Sequence, residues 1–567
     1  MQNFLKLNRH VLTRWTAVAL FVAVALTLCG IPAHAAGERI MRVGLFYGSK
    51  ALPTANLANE IGSGYRFGFF DNSGNFTEIG RTGTEKITVC KDSNLYLSGG
   101  TFYETPTVSA YTLVGAYHLQ AAGSFSTYEQ AVGAAAGYPS GFPAYVNGAY
   151  VVRFEFFSAA ANAEAELANF PGSTVVGASA SCYTVVETAT GRILFEFDNG
   201  ASSYLGIMPS LEHSLMAQTW FKGYQYYGGF QYIRRSGNDL TVINLVDEDR
   251  YVAGVLPYEF VSSGTLESLK AGAVAVRTFG RATNKHSAQG FSICNTTCCQ
   301  VYRGVYTASN AAHVLQASQE TAGLCAYYNG KLIEALYFSS DGGSTENAIN
   351  AWGSDYPYLV GKADPYEKTI SFGGQSWSYQ ITPQQVKTLL ESQGKTCGDI
   401  VKIEVTKRTE NGNVNELVFT DHTGKNITYQ RDAVRVLQKI PGVQYMSRRF
   451  TVTANNGAAP PAVSGDQFSV YDGKSNNTAS TVVAIDGKGN KNTVTAPAAI
   501  LTDSGLQTVG GNETTTQPAT NTDGWTLSGS GYGHNIGMSQ WGAYAMGKLG
   551  HTYDEILKFY YTGIEIK

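Results

Sequence analysis

Charge is scarce in this chain. Only 15% of its 567 residues are Asp, Glu, Lys or Arg, and 41 basic residues nearly cancel 44 acidic ones. A formal net charge of −3 provides no basic surface, which argues against nucleic acid or any other polyanion as the main partner. Long apolar runs are missing too: past the first 36 residues no stretch is long enough to span a bilayer. Cysteine is equally sparse, eight in all, yet three of the eight stand at 294, 298 and 299.

What is present begins with the first residues. Lys6, Arg9 and Arg14, the apolar run TAVALFVAVALTLCG and the small-residue site Ala33-His34-Ala35 form the pattern of a secretory leader, residues 1–35, with cleavage expected after Ala35. An uncleaved anchor is the alternative, and only then is the membrane a partner. Loss of three basic residues takes the net charge from −3 to about −6. Tyr (35) and Phe (27) are abundant, which suits neutral, hydroxyl-rich ligands such as sugars, though aromatic rings fill cores equally well.

The chain then reads as a multidomain α+β protein. MRVGLFYG (41–48), KITVCKD and NLYLSGG predict strands of a β-rich region, 36–110. Residues 111–182 hold two halves, each a strand and an Ala/Glu-rich helix, in a β-α-β-β-α-β order that predicts a compact ferredoxin-like unit. From WFKGYQYY to LVDEDRYVAGVLPYE the pattern reads as strands with aromatic punctuation. Helices are expected at 263–282, at SNAAHVLQASQETAG and at TPQQVKTLLESQG. Residues 454–524 are rich in Ser, Thr, Asn and Gly, a polar insertion around two strand-like pieces, QFSVYDG and STVVAID. Order returns at 525–567 with GYGHNIGMSQWGA and a terminal helix, YDEILKFYY.

Three constellations bear chemistry. His286, Cys294, Cys298 and Cys299 have the number and donor types of a closed tetrahedral zinc site, which requires a tight turn at the adjacent cysteines. A disulfide with the third cysteine free, or paired with Cys325 or Cys397, is the alternative; Cys90, Cys182, Cys325 and Cys397 allow two disulfides or none. Glu259, among Pro257, Tyr258 and Phe260, has aromatic surroundings that raise a carboxyl pKa, opposed by a following helix N-terminus; an exposed loop glutamate fits the same residues. His534, Ser539 and Gln540 have hydroxyl-binding side chains beside close-approach glycines, and LYFSSDGGSTENA with Ser340 reads as a cleft wall or a surface turn.

YHLQAAGSFSTYEQA and YVVRFEFFSAAANAEA resemble the SPOR (sporulation-related repeat) pattern, which implies binding to peptidoglycan glycan strands lacking stem peptides. YVAGVLPYEF, LKAGAVAVRTF, FSICNTTCCQVYRG, LYFSSDGGSTENAINAWGSDYPYL and GYGHNIGMSQWGAYAMGKLG, in that order, resemble the SpoIID/LytB family of lytic transglycosylases and amidase enhancers across 222–450 and 525–567, within catalytic segments 183–453 and 525–567. The resemblance implies cleavage of MurNAc–GlcNAc strands to 1,6-anhydro ends by one glutamate, which falls at Glu259. Two carboxylates are the rule for ordinary glycoside hydrolysis; a substrate that brings its own O6 nucleophile requires one. It further implies structural zinc on His286, Cys294, Cys298 and Cys299, where TTCCQVY departs from the usual TTHCQVY, and Arg277 orienting substrate or pairing with the acid. Substrate contacts are expected from Arg277, Ser340, His534, Ser539 and Gln540. Gly272 stands where Gln is usual, and Asn535 where Gly is usual. The partners implied are glycan strands at the cell wall and a cell-wall amidase, the latter if the chain recruits or activates an enzyme instead of cutting.

Overall fold

The strand expected at 41–48 forms, as Ile40–Phe46, but its partners lie far along the chain. It pairs antiparallel with Thr241–Asp247 and parallel with Ile293–Cys294, burying Met41, Val43 and Leu45 on alternate positions. The computed structural model describes residues 39–567, except 107–108, 212–215, 236 and all of 456–522 outside six short strands. The expected leader and the cleavage after Ala35 lie outside the described residues. Among the described residues no helix is long and apolar enough to cross a membrane.

The β-rich segment 36–110 is therefore no separate layer. A seven-stranded sheet runs in the order Ile293–Cys294, Ile40–Phe46, Thr241–Asp247, Gly229–Ile233, Gly206–Pro209, Tyr65–Phe70, Phe76–Thr82. A ten-stranded sheet runs Thr174–Val176, Tyr117–Gln120, Ala149–Phe157, Phe142–Val146, Ile193–Asp198, Tyr183–Glu187, Lys86–Lys91, Thr54–Ile61, Gln218–Phe221, Tyr224–Tyr226. The first four of these, with helices α1 (Tyr128–Ala135) and α2 (Ala160–Glu166), lie within 111–182, whose further strand Thr112–Val114 pairs instead with Leu95–Ser98. That unit is fused to its neighbour: Phe142–Val146 pairs parallel with Ile193–Asp198. Beneath the seam, buried Glu196 lies 2.8 Å from Arg153 and 3.1 Å from His118.

Residues 248–259, expected as strand, are helix α3 (Glu248–Glu259). Asp247 caps it, accepting from the N–H groups of Asp249 and Arg250, and Glu248 and Asp249 stand in the first turn. Tyr251, Val252, Val255 and Leu256 recur at helical spacing and are buried. The alternation that suggests a strand is outweighed by this cap. Helix α4 (Leu266–Ala282) packs on it through Gly272, where a Cβ would lie 3.0–3.1 Å from Leu256 and Phe260. The residue that departs from the usual Gln thus lets the two helices close together.

Helix α5 (Ala311–Glu320) covers α3 and α4, followed by the short α6 (Ala348–Trp352). A second hydrophobic core, including Trp377, Leu390, Phe419 and Trp525, is built on two three-stranded sheets and α7 (Pro383–Ser392), which starts with a Thr382/Gln385 capping box. In one of those sheets Phe450–Ala454 pairs with Trp525–Ser530, Ala454 opposite Trp525. The polar insertion thus leaves and returns at adjacent ladder positions, so its length need not disturb the fold. The strand-like pieces QFSVYDG and STVVAID appear as Phe468–Tyr471 and Thr481–Ile485. The chain ends with α8 (Gln540–Lys548) and α9 (Tyr553–Tyr560), back on the main core.

Candidate active site and metal centre

Glu259 is the last residue of α3, not a loop residue between strand and helix. The carbonyl end of a helix disfavours a negative charge, so its own helix acts with burial. One donor opposes them: the Val301 N–H reaches Oε1 at 2.6 Å. The net result is a carboxyl pKa raised above its ordinary 4.5, with burial the larger cause. With Oε1 engaged by a peptide N–H, Oε2 is the oxygen left to carry a proton. Aromatic groups frame the site: Phe260 lies 5.0 Å from Tyr337 by ring centroids, and Gln300 links the hydroxyls of Tyr251 (2.6 Å) and Tyr337 (3.0 Å).

Val301 reaches Glu259 because Gly254, one turn earlier on α3, has no side chain. A Cβ there would lie 2.5 Å from the Gly304 carbonyl and 2.6 Å from the Tyr302 ring. The segment Gln300–Gly304 can therefore lie along the helix, tied again by the Arg303 N–H to the Gly254 carbonyl at 3.3 Å. Outside this contact, half-exposed Tyr258 faces Tyr306 at 6.1 Å, and Arg303 lies 5.4 Å over the Tyr224 ring.

The same segment descends from the cysteine loop. His286, Cys294, Cys298 and Cys299 bring one donor atom each within 4.8 Å of the others. The tight turn that adjacent cysteines require is there, closed by the Cys299 N–H to the Thr296 carbonyl at 2.9 Å. His286 Nδ1 is held by Gln289 Oε1 at 2.8 Å, which leaves Nε2 facing Cys298 Sγ at 3.8 Å. A second ring nitrogen fixed by a polar partner is the usual support of a metal-binding histidine. Phe291 stacks on the imidazole at 5.1 Å and Tyr47 packs edge-on at 5.3 Å. Cys294 is drawn down to about 3 while Cys299 is pushed up, each through its hydrogen bond with the other: two sulfurs compete for one negative charge. Three sulfurs and one imidazole at this spacing fit zinc, and all seven described cysteines are free thiols.

The remaining site residues divide differently. Arg277 does not reach a cleft and does not pair with Glu259. It is 1% exposed and clamps the start of α3 to the end of α5, bonding Asp249 (2.8 Å) and the carbonyls of Ser318 (3.0 Å) and Thr321 (2.8 Å), with Glu248 at 3.4 Å. A fully extended guanidinium inside a small-residue helix has backbone carbonyls to satisfy before any substrate. Ser340 and Ser539 are also buried, and both donate to Glu367, Ser539 at 2.9 Å. Ser539 in addition caps α8, accepting from Gly542 N–H at 3.0 Å. His534 is half-buried between Phe338 and Trp352, its pKa lowered to about 4 by burial, and accepts from Ile536 N–H on Nδ1. Gln540 is partly exposed on the first turn of α8. Asn535 takes a left-handed φ of 66° and is fully buried, donating to the Asp341 carbonyl at 2.9 Å. Asn is the side chain that best tolerates a position where glycine is usual, and here its amide also stitches two loops together.

Residues 236–328 match the stage II sporulation protein family, SpoIID, a segment that holds Glu259 and all four of the clustered metal donors. Over this segment the chain is similar to the SpoIID family. It is 32% identical over 310 residues to an amidase enhancer of Bacillus subtilis (strain 168), a match covering 55% of this chain and 39% of that longer protein. It is 25% identical over 332 residues to stage II sporulation protein D of the same organism, covering 56% of this chain and 74% of that one. An uncharacterized protein of Brachyspira hyodysenteriae is 27% identical over 346 residues, 61% and 73% of the two chains.

Proposed function

We propose that this protein is a lytic transglycosylase of bacterial peptidoglycan, exported to the cell wall, with Glu259 as its acid and base. The observation that carries the reading is one half-buried carboxyl at a helix C-terminus, its pKa raised by burial and its one hydrogen-bond donor among the described residues the Val301 N–H. Glu259 Oε2 donates its proton to the glycosidic oxygen between MurNAc and GlcNAc as the bond to C1 breaks. The carboxylate then takes the proton of the MurNAc O6 hydroxyl, and O6 closes on C1 to give the 1,6-anhydro ring. Val301 N–H supports the carboxylate formed midway, which limits how far burial can raise the pKa and keeps the group able to act in both directions. Tyr224, Tyr258 and Tyr306 offer ring faces beside the acid for sugar C–H surfaces, with Arg303 among them.

Zinc on His286, Cys294, Cys298 and Cys299 would serve as a structural ion. Four protein donors leave no open position, and Cys299 stands two residues before the N–H that holds Glu259. The strands of 111–182 would act as a glycan-binding unit of SPOR type, raising the local concentration of the polymer at the catalytic cleft.

A second reading has its own support: one relative is named an amidase enhancer. On that reading the chain recruits or activates a cell-wall amidase. Mass spectrometry of purified glycan strands, peptide-free and intact, separates the two. Anhydro-muramic ends from wild type and none from Glu259→Gln are the expected result. Absence of any product from wild type, with amidase stimulation retained by Glu259→Gln, would favour the enhancer.

A further inference from the structure

Away from Glu259 and the cysteine loop, three buried carboxyl groups meet. Asp341, Asp364 and Glu367 are each no more than 4% exposed, and each places an oxygen within 4.8 Å of the other two. Asp341 comes from one loop and Asp364 and Glu367 from another, and the segments that bond them are as far apart in sequence as Ser340, Ser539 and Tyr560.

Counting donors shows what the cluster lacks. Glu367 Oε1 accepts from Ser340 Oγ and Gly342 N–H, and Oε2 from Asp341 N–H (2.9 Å) and Ser539 Oγ (2.9 Å). Asp364 Oδ1 accepts from the N–H groups of Tyr366 and Glu367, and Oδ2 from Tyr560 Oη at 2.6 Å. Every oxygen of these two groups thus has a donor. Asp341 Oδ1 accepts from Gly343 N–H at 2.6 Å, but Oδ2 is buried with no hydrogen-bond partner. Every one of these donors is a neutral hydroxyl or peptide N–H. Arg449, whose field Asp341 shares, spends its hydrogen bonds on Ser344 and the Asn411 carbonyl. The N-terminus of α8 presses on the cluster, since a Cβ on Gly542 would lie 2.5 Å from Asp364 Oδ2, but a helix end supplies only about half a charge.

We propose that Asp341, Asp364 and Glu367 bind one divalent, oxygen-seeking cation of the calcium type, which fastens the C-terminal segment after the polar insertion to the loops before it. Calcium–oxygen bonds of about 2.3–2.6 Å place two ligating oxygens at most about 5 Å apart, a span these groups meet. A proton shared by Asp341 and Asp364 would satisfy the orphan oxygen, yet three carboxyl groups with one proton keep a net charge of −2, with no basic side chain among the described residues hydrogen-bonded to them. A divalent ion lowers that to −1. The donor set is also chemically opposite to the sulfur–imidazole loop, so the two sites sort hard from soft metals.

The test uses the full chain with its zinc in place, freed of calcium by passage through calcium-free buffer. Calcium chloride is titrated calorimetrically, and terbium is followed by luminescence sensitised through Tyr560. Expected are one equivalent of calcium bound per chain, a melting temperature that rises with calcium, and terbium emission quenched by calcium. Asp341→Asn should lose all three while its zinc content is unchanged. A wild type that takes up neither ion, or an Asp341→Asn variant that binds both as wild type does, overturns the proposal. So does a melting temperature that rises on acidification and ignores calcium, the signature of a shared proton. If Asp341→Asn fails to fold, the wild-type calcium titration alone decides.

Discussion

Glu259 and Glu367 are both withdrawn from solvent, but Glu367 stands within 4.8 Å of Asp341 and Asp364, and the two glutamates differ in their number of donors. Glu259 has a single peptide N–H at 2.6 Å, while Glu367 has four donors on its two oxygens. A carboxyl short of donors keeps its charged form costly and holds a proton that it can give away. One surrounded by donors ties together the segments that supply them. Burial alone therefore does not mark a catalytic acid, and neither does an unfilled oxygen, which Asp341 also has; the proposed role of Glu259 rests on both together with its place at a helix end outside any carboxyl cluster.

The sharpest way to break this contrast is to neutralise each glutamate in turn. Glu259→Gln should lower anhydro-product formation by about 10²–10⁴-fold, the usual contribution of a positioned general acid, with folding intact. Glu367→Gln should do the reverse. Its amide would turn a donor toward Ser340, Ser539 and the loop N–H groups, so unfolding free energy should drop by about 2–4 kcal/mol while activity per folded molecule changes little. Parallel denaturant titrations and product assays on both variants read this directly. Catalytic loss in the Glu367 variant at unchanged stability would mean that the donor count does not separate the two roles.

Much of this was legible beforehand, but not evenly. The helix at 263–282, the α7 capping box and the terminal helix follow from caps and 3.6-residue spacing, which are local. The cysteine loop was visible because soft donors are rare in this chain. The strand partners of Ile40–Phe46 were not, because a strand signal names a face and never a neighbour. Glu259 was found by its motif, but its place at a helix end was hidden by YVAGVLPYE, which alternates well enough to pass for a strand until Asp247 is seen as a cap. Arg277, Ser340 and Ser539 were misplaced for a common reason. A polar side chain in a conserved-looking motif suggests a ligand, and only three-dimensional packing reveals carbonyls and carboxylates inside the protein waiting for it. The meeting of Asp341 with Asp364 and Glu367 is invisible in sequence because the two turn segments that carry them give no sign of lying side by side.

The contrast also has a pH signature. In the proposed mechanism Glu259 acts protonated in the first step, so kcat/KM should hold below its pKa and fall as pH rises through it. With that pKa raised above 4.5, the fall comes at higher pH than for an ordinary glutamate. Stability carries the same sign. A carboxyl whose pKa is raised by folding stabilises the fold below the unfolded value, and the contribution is lost as pH rises through the folded one. Glu259→Gln should therefore melt above wild type at neutral pH, and the gap should close in acid. A variant less stable than wild type at neutral pH would show that the site is not strained by its charge.

The smallest effect is expected at Cys298, where TTCCQVY departs from the TTHCQVY pattern of the family it resembles. Imidazole and thiolate are both good zinc donors, so Cys298→His should keep one zinc per chain and most of the activity. Cys298 is the most exposed of the four donors, on a turn that can admit the larger ring. Cys298→Ala should lose the ion, because three remaining donors no longer close the tetrahedron. The consequence should then travel along Cys299, Gln300 and Val301: with the turn slackened, the N–H leaves Glu259 Oε1, and the acid loses the one donor that stabilises its charged form. Its pKa should rise further, so the alkaline limb of kcat/KM should move to higher pH in Cys298→Ala and stay in place in Cys298→His. A lower rate with an unmoved limb in the alanine variant would separate the metal from the acid, and zinc would then hold the loop without tuning the chemistry.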